Sequence, residues 1–576
     1  MNRLGSVRRS QVVTTYGPGA LIAVDDESFM VAGIDRWDVV DADTVPERRL
    51  EQQLRVQALY LPPSETESFR STRGLPVIRF PLMHSCPDCR RLDWFWKLSA
   101  DDKNVCARCE RPLVPSRFVI ACPSGHIDDF PYSRWVHEGR TPDGDHRLEL
   151  TTQGASASLR DILITCSCGA RRTLDGAFDR RKIAVITRCQ GRRPWLGDQE
   201  ECGAGVRTLQ RGASNVWFSS VRSALSIPPW SDGVFQLLER YWLMLKSVKD
   251  PDMLKNILTG MGAALTAHGY DVDELVRAVL ARQAEEAGEV PADTKTKSQE
   301  YEALLAGRAE SDQNQQFVAE PFDPPAALAP FIEQVVAVPR LREVRALVGF
   351  TRLQPSSQDA DDASREAPLS RGDIPWLPAI EVRGEGVFLV LDHRQLTAWE
   401  QRTEVLARCA TLDRNNALRA AERRLSDPAP ITPRFVLVHS LAHALIEQMS
   451  LDAGYPAASL RERLYVSNEM AGLLIYTATS DSAGSLGGLI AQTRPGRLAA
   501  LVLEALGRAA WCSADPVCIE STGSGADGLN LAACHACSLL PETSCEEKNT
   551  LLDRGLLIGT PDQPDLGYLS DLVRGR

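Results

Sequence analysis

Nowhere in the 576 residues does a Gly-Lys pair occur. A phosphate-binding loop needs Gly-x4-Gly-Lys-Ser/Thr to wrap backbone amides around the phosphates, so the chain lacks that means of hydrolysing ATP on its own. Long apolar runs are missing as well. The longest, such as Phe435 to Ile446, contain histidine and fall short of the ~20 residues that cross a bilayer. The start, Met1-Asn2-Arg3-Leu4-Gly5, has no apolar core of the kind a signal peptide carries. These absences place the chain, by expectation, in the cytoplasm, where glutathione keeps thiols reduced and spaced cysteines read as metal ligands rather than disulfides. An excess of positive charge is lacking too. A net charge of -11 argues against a surface that clings to nucleic acid everywhere, and leaves any such contact local or to a partner. The absence of a helix-turn-helix pattern disfavours a zinc-ribbon transcription regulator.

What the chain does have is cysteine, 15 in all. Cys86, Cys89, Cys106 and Cys109 form Cys-x2-Cys-x16-Cys-x2-Cys, two knuckles that can each bring two sulfurs to a tetrahedral zinc ion at ~2.3 Å. Four thiolates with no open position make a structural site rather than a catalytic one. A second expected set is Cys166, Cys168, Cys189 and Cys202, with Cys122 and His126 as alternates that replace or join members of either site. The third is Cys518, Cys534, Cys537 and Cys545, with Cys512 as an alternate first ligand. Spacing there suits zinc and leaves an iron–sulfur cluster as the other choice. The expected cofactor is therefore zinc at two to three sites.

The texture of the chain implies a multidomain α+β protein. Residues 1–80 mix short β-type runs, Ala20 to Val24 and Val77 to Phe80, with the turn signal Gly17-Pro18-Gly19. Residues 81–215 hold zinc-ribbon-like modules. Residues 216–350 read as helical, from the apolar periodicity of Val234 to Leu243. Residues 351–429 form a mixed α/β connection with a strand pattern from Ala379 to Leu391, and residues 430–576 a mixed α/β, helix-rich domain that carries the last cysteines. Two polar stretches, Gln283 to Gln316 and Gln354 to Pro368, read as solvated linkers or exposed insertions.

Three further patterns bear on chemistry. Arg171, Arg172, Arg180, Arg181, Lys182 and Arg188, with Arg192 and Arg193, stand against only Asp175 and Asp179 in an otherwise acidic chain. Such a patch fits a phosphate backbone, and equally an acidic partner. Thr432 and Pro433 signal the start of a helix that stacks His439, His443 and Glu447 at i, i+4 and i+8. This looks like half of a metalloprotease site, but Ser440 stands where the general-base glutamate belongs, and the apolar neighbours favour core histidines. It nonetheless defines an alternative function, a metal-dependent nuclease or hydrolase. The glycine-rich stretch Asp481 to Leu489 reads as a tight turn into a helix more than as a nucleotide site.

Several segments together carry a resemblance to a known family. Arg9-Ser10-Gln11 with Tyr16-Gly17-Pro18-Gly19-Ala20, Ala121-Cys122-Pro123-Ser124-Gly125-His126-Ile127-Asp128-Asp129-Phe130-Pro131, Arg211-Gly212-Ala213-Ser214-Asn215-Val216-Trp217-Phe218, and Cys534-His535-Ala536-Cys537 with Pro541 to Glu546 resemble the DrmB subunits of the bacterial anti-phage system DISARM. The part from about Pro430 is similar to the cysteine-bearing domain of MrfA-type DNA-repair helicases, in which four cysteines bind metal. The resemblance covers nearly the whole chain. It implies a non-catalytic companion of a separate helicase subunit, DrmA, that works with it on DNA.

Overall fold

The computed structural model describes all residues except 1–6, 40–42, 65–73, 155–157, 229–237, 239–240, 262–271, 288–292, 311–315, 356–365, 424–427, 478–486 and 575–576. Most of the periodic segment Val234 to Leu243, most of the polar stretch Gln354 to Pro368 and the first six residues of the glycine-rich stretch lie outside the described residues. Two compact units emerge. The first comprises residues 1–46, 56–222 and 345–380, and the second residues 47–55, 223–344 and 381–576.

The first unit is built from small sheets. Leu21–Val24, Glu27–Val31 and Val77–Arg79 pair antiparallel in that order, as the β-type runs of the N-terminal module imply. A six-stranded sheet contains Met83–Ser85, Arg91–Trp94, Leu148–Thr152, Ile162–Cys166 and Arg171–Thr173, while Phe118–Ala121 lies between Ile127–Asp129 and Arg207–Gln210 in a separate three-stranded sheet. Their apolar faces meet in a core of Met83, Leu92, Phe118, Ile120, Trp135, Ile164 and Ile183. Short strands joined by tight turns give each sheet little apolar area, and it is at these turns that most of the unit's cysteines sit.

The second unit holds a large core built around one long helix. The helix Pro433–Ala453 is capped by Thr432, whose hydroxyl accepts from the N–H of Phe435 at 3.3 Å, and ends at Gly454 in the left-handed region. It is apolar nearly all round and accordingly buried nearly all round. It packs on the antiparallel strands Leu460–Val466 and Ala471–Thr477 and on the helix Pro495–Ala509. Leu437, Leu441, Leu445, Leu464, Leu473, Ile475, Leu501 and Leu506 share that core. Gly386 to Val390 of the strand Trp376–Leu391 pair antiparallel with Ala471–Thr477, where the alternating pattern of Ala379 to Leu391 places a strand.

Two expectations for the middle of the chain need correction. Residues 216–350 are not helical throughout. Helices occupy Trp242–Leu245, Pro251–Gly260, Val272–Ala287 and Asp293–Ala306, but Phe218–Leu225 and Ile332–Thr351 are strands. The run Val335-Val336-Ala337-Val338 is rich in β-branched valine and continuously buried, the mark of a strand covered on both faces, which periodicity alone does not separate from a helix. Nor is Gln283 to Gln316 a solvated linker. Thr296, Glu300, Tyr301 and Leu304 are buried, and Glu300 takes a bidentate ion pair from Arg463 at 2.6 and 3.0 Å and a hydrogen bond from the Tyr465 hydroxyl at 3.1 Å. Composition registers the polar residues but not the partners that let them go inside.

Candidate metal centres

Among the described residues, five sets of four side chains bring their ligand atoms within 4.8 Å of one another, and every cysteine except Cys409 belongs to one of them. Cys409 lies in the large apolar core.

The first set is Cys86, Cys89, Cys106 and Cys109. Each knuckle folds in the same way. The N–H of Cys86 donates to Arg91 and that of Cys106 to Arg111, and the residue after each second cysteine, Arg90 or Glu110, takes a positive φ of 63° or 56° that closes the loop. Cys89 and Cys106 stand 3.9 Å apart at sulfur. Four sulfurs at 2.3 Å from one tetrahedral ion lie about 3.8 Å apart, so the spacing fits zinc and is far too long for a disulfide.

The second expected set does not come together. Cys189 and Cys202 join Cys122 and His126, the two alternates, while Cys166 and Cys168 form a separate set with His137 and His146. The reason is topological. Cys166 ends a strand of the six-stranded sheet, and the turn through Gly169 returns the chain along Arg171–Thr173. Cys189 follows the helix Arg180–Ile186, with its N–H bonded to Ala204. In the Cys122 set, His126 places Nδ1 3.3 Å from the Cys122 sulfur, and its Nε2 meets the Glu200 carboxylate at 2.6 Å. A carboxylate on the far ring nitrogen is the usual means of orienting a metal-binding imidazole. The Cys189 thiol and then His126 hold Cys122 down at about 4, which favours the thiolate a metal needs. In the other set, His137 Nε2 lies 3.3 Å from the Cys168 sulfur while its Nδ1 donates to the carbonyl of Ser133 at 2.7 Å, and His146 Nδ1 lies 3.2 Å from the Cys166 sulfur. The N–H of Ala170, with His137 and Cys166, lowers Cys168 to about 6.

His137 and His146 went unnoticed in the sequence. A Cys-x-Cys pair supplies only two ligands, and these are two of just nine histidines in the chain, both within reach of it.

The C-terminal set also differs from expectation, because Cys512 takes the place of Cys545 beside Cys518, Cys534 and Cys537. Sulfur separations of 3.5, 3.7 and 3.8 Å again match the edges of a zinc tetrahedron. Backbone N–H groups of Ala514 and Cys534 point at the sulfurs of Cys512 and Cys537, at 3.4 Å each. Cys545 lies with His439, His443 and Glu462 instead. Glu447, the third member of the expected helical face, is 44% exposed and approaches Arg508 at 4.0 Å. The carboxylate that meets the histidines comes from the neighbouring strand, where Glu462 shares a face with Leu460 and Leu464. A charge in an apolar register position was the signal available for it.

The basic run is divided as well. Arg192 pairs with Asp128, and Arg193 with Asp198 and Glu200. Arg172 lies 3.9 Å over the Trp135 ring and donates to the Trp135 carbonyl, so it is engaged within the unit. Arg171, Arg180, Arg181, Lys182 and Arg188 remain exposed. No helix among the described residues is long and apolar enough to cross a membrane.

Comparison with known proteins matches both ends of the chain, the C-terminal end to a zinc-binding domain. Residues 8–218, which hold three of the five sets, match a domain of unknown function (DUF8724), and residues 441–538, which hold Cys512, Cys518, Cys534 and Cys537, match the MrfA Zn-binding domain. Over 570 residues, 95% of this chain and 99% of the relative, the sequence is 31% identical to the DISARM protein DrmB of Bacillus paralicheniformis. At that identity over nearly the full length of both proteins, the chain belongs to the DrmB family of DISARM proteins.

Proposed function

We propose that this protein is a non-catalytic, metal-stabilised accessory subunit that binds a DrmA-like DNA helicase or translocase in the bacterial cytoplasm and helps it engage DNA in defence against phage. The observation that carries the reading is the donor count. The two all-cysteine sets and the two Cys/His sets each offer four protein ligands, a closed shell with no position for substrate. Zinc held by Cys86, Cys89, Cys106 and Cys109, by Cys122, His126, Cys189 and Cys202, by His137, His146, Cys166 and Cys168, and by Cys512, Cys518, Cys534 and Cys537 would supply folding energy of order 10 kcal/mol per site to turns with little core of their own. A motor that steps along DNA has to keep hold of a strand while its lobes open and close, and a body stiffened in this way suits a fixed wall or gate beside it.

DNA contact falls to Arg171, Arg180, Arg181, Lys182 and Arg188. The helix Arg180–Ile186 presents three of them at its first turn, held by Asp179, which accepts from the N–H groups of Arg181 and Lys182 at 2.8 and 3.3 Å. Ile183, Ile186 and Cys189 of this segment are buried in the unit's core, so its charges have solvent or a partner before them.

Co-expression with the helicase of the same DISARM set tests the proposal. A stable complex at micromolar concentration, with ATPase activity that resides in the helicase, is expected. Separate migration of the two proteins would overturn it. Reversal of Arg180, Arg181 and Lys182 to glutamate, scored for DNA affinity and for helicase retention, assigns the patch. Loss of DNA affinity with a shallower salt dependence marks a phosphate contact, and loss of the helicase marks a docking surface.

A further inference from the structure

The fifth set differs from the others in chemistry and in place. His439 and His443 lie one turn apart on the helix Pro433–Ala453, Glu462 on the strand Leu460–Val466, and Cys545 in the segment that follows the C-terminal four-cysteine set. Both histidines and Glu462 have side chains with no measurable exposure, and Cys545 is 7% exposed. The residues matched by the MrfA Zn-binding domain, 441–538, leave out His439 and Cys545, so this set straddles both ends of the match.

We infer that His439, His443, Glu462 and Cys545 form a closed, structural zinc site separate from the four-cysteine site of the same unit. The donor atoms are His439 Nε2, His443 Nε2, a Glu462 carboxylate oxygen and Cys545 Sγ. His439 Nε2 lies 3.1 Å from Glu462 Oε1 and 3.2 Å from the Cys545 sulfur, and His443 Nε2 lies 3.7 Å from Glu462 Oε2. Ligands at about 2.0 Å for nitrogen and oxygen and about 2.3 Å for sulfur span tetrahedral edges of about 3.3–3.6 Å, so one ion fits among the four.

The hydrogen bonds around the set point the same way. His443 Nδ1 donates to the carbonyl of Ser538 at 2.7 Å, which fixes the tautomer that leaves the Nε2 lone pair facing inward. The N–H of Asn549 points at the Cys545 sulfur at 3.2 Å, and that of Glu546 at Glu462 Oε1 at 3.0 Å. Yet His443 Nε2 and Glu462 Oε2, both buried, have no hydrogen-bond partner. Orphaned polar atoms at full burial cost about 1–3 kcal/mol each, and here two of them converge on one point. Charge balance favours a dication in particular, since a thiolate and a carboxylate with two neutral imidazoles sum with zinc to zero. Without an ion, the Glu462 carboxylate would be buried among neutral groups, or one of the two imidazoles would have to take up a proton. Such a site would tie the long helix, the adjacent strand and the C-terminal segment at a single point.

The test uses the full chain, purified with zinc as the only added transition metal. Diffraction on either side of the zinc absorption edge should show an anomalous peak between His439, His443, Glu462 and Cys545. Peaks at the all-cysteine sets with none here would overturn the inference, whatever the outcome of the helicase and DNA experiments. In solution, Cys545→Ala and Glu462→Gln should each lower bound zinc by one equivalent and leave the Cys512 set loaded. A folded variant with unchanged zinc content would also overturn it, and where a variant does not fold, the wild-type anomalous map decides.

Discussion

Arg352 donates through Nε to the carbonyl of Gly125 at 2.8 Å, inside the turn that carries Cys122 and His126. The same guanidinium reaches Val216 through Nη1 at 2.6 Å and Gly19 through Nη2 at 2.8 Å, with the Phe350 ring 4.8 Å away. Three of the segments by which the chain resembles its family, around Gly19, around Gly125 and around Val216, are thus held by one side chain, itself 1% exposed. Burial lowers Arg352 to about 9, and a planar cation that can bond three carbonyls at once offsets that penalty. Gly19 and Gly125, at φ of 80° and 82°, lie so close to Phe350 and Ala367 that a Cβ on either would fall 2.5 Å from a neighbouring carbon.

Arg352→Lys is therefore expected to fail as a conservative change. An ammonium is a point donor and cannot span three carbonyls in different directions, so both Arg352→Lys and Arg352→Ala should lower stability by about 3–5 kcal/mol. Denaturant unfolding of the full chain, followed by tryptophan fluorescence, measures it. A lysine variant within about 1 kcal/mol of wild type would show that the three bonds contribute little.

The division of the middle cysteines predicts an additive loss of metal. Cys166→Ser and Cys202→Ser should each remove one zinc equivalent, and the double variant two, by elemental analysis. If all four middle cysteines shared one ion, the double variant would lose no more than either single one. Sequence spacing joined these residues although the helix Arg180–Ile186 lies between the strand turn of Cys166 and Cys168 and the segments of Cys189 and Cys202, which fall in a different set. Distance along the chain carries that information where two knuckles of the same Cys-x2-Cys spacing lie close in sequence, as they do for Cys86 to Cys109. The clustering of cysteines, the start of the long helix at Thr432 and the N-terminal strands were legible, because each depends on neighbouring residues. Cys545, Glu462, His137 and His146 depend on tertiary contacts and were not.

Glu300 illustrates the same limit and has its own expected outcome. Its carboxylate meets Arg463 twice and also accepts from the N–H of Leu225 at 2.9 Å, all within the second unit. Glu300→Gln leaves the buried Arg463 cation with only the more distant Glu546 carboxylate, 3.9 Å away, and should cost about 3 kcal/mol. Pairing that change with Arg463→Met should recover part of the loss, since the buried positive charge is gone. A double-mutant cycle on unfolding free energies gives the coupling, and a value below about 0.5 kcal/mol would mean that the pair is not a unit.

The two all-cysteine sets should respond differently to the loss of one ligand. Cys86 and Cys106 share a small cluster with the buried apolar side chains Phe95, Leu98 and Leu113. At about 1.5–3 kcal/mol each they contribute less than about 10 kcal/mol, against a conformational entropy cost of about 1–2 kcal/mol for every residue ordered in the two cysteine knuckles. Metal coordination has to make up the difference, so Cys89→Ser should open this segment and release its amides to hydrogen exchange. Cys512, by contrast, follows a helix whose Leu498, Leu501, Val502 and Leu506 sit in the large core. Cys537→Ser should release zinc and raise exchange near residues 512–540 while the helices Pro433–Ala453 and Pro495–Ala509 stay protected. Equal, global loss of protection in both variants would show that the modules do not fold as separate units.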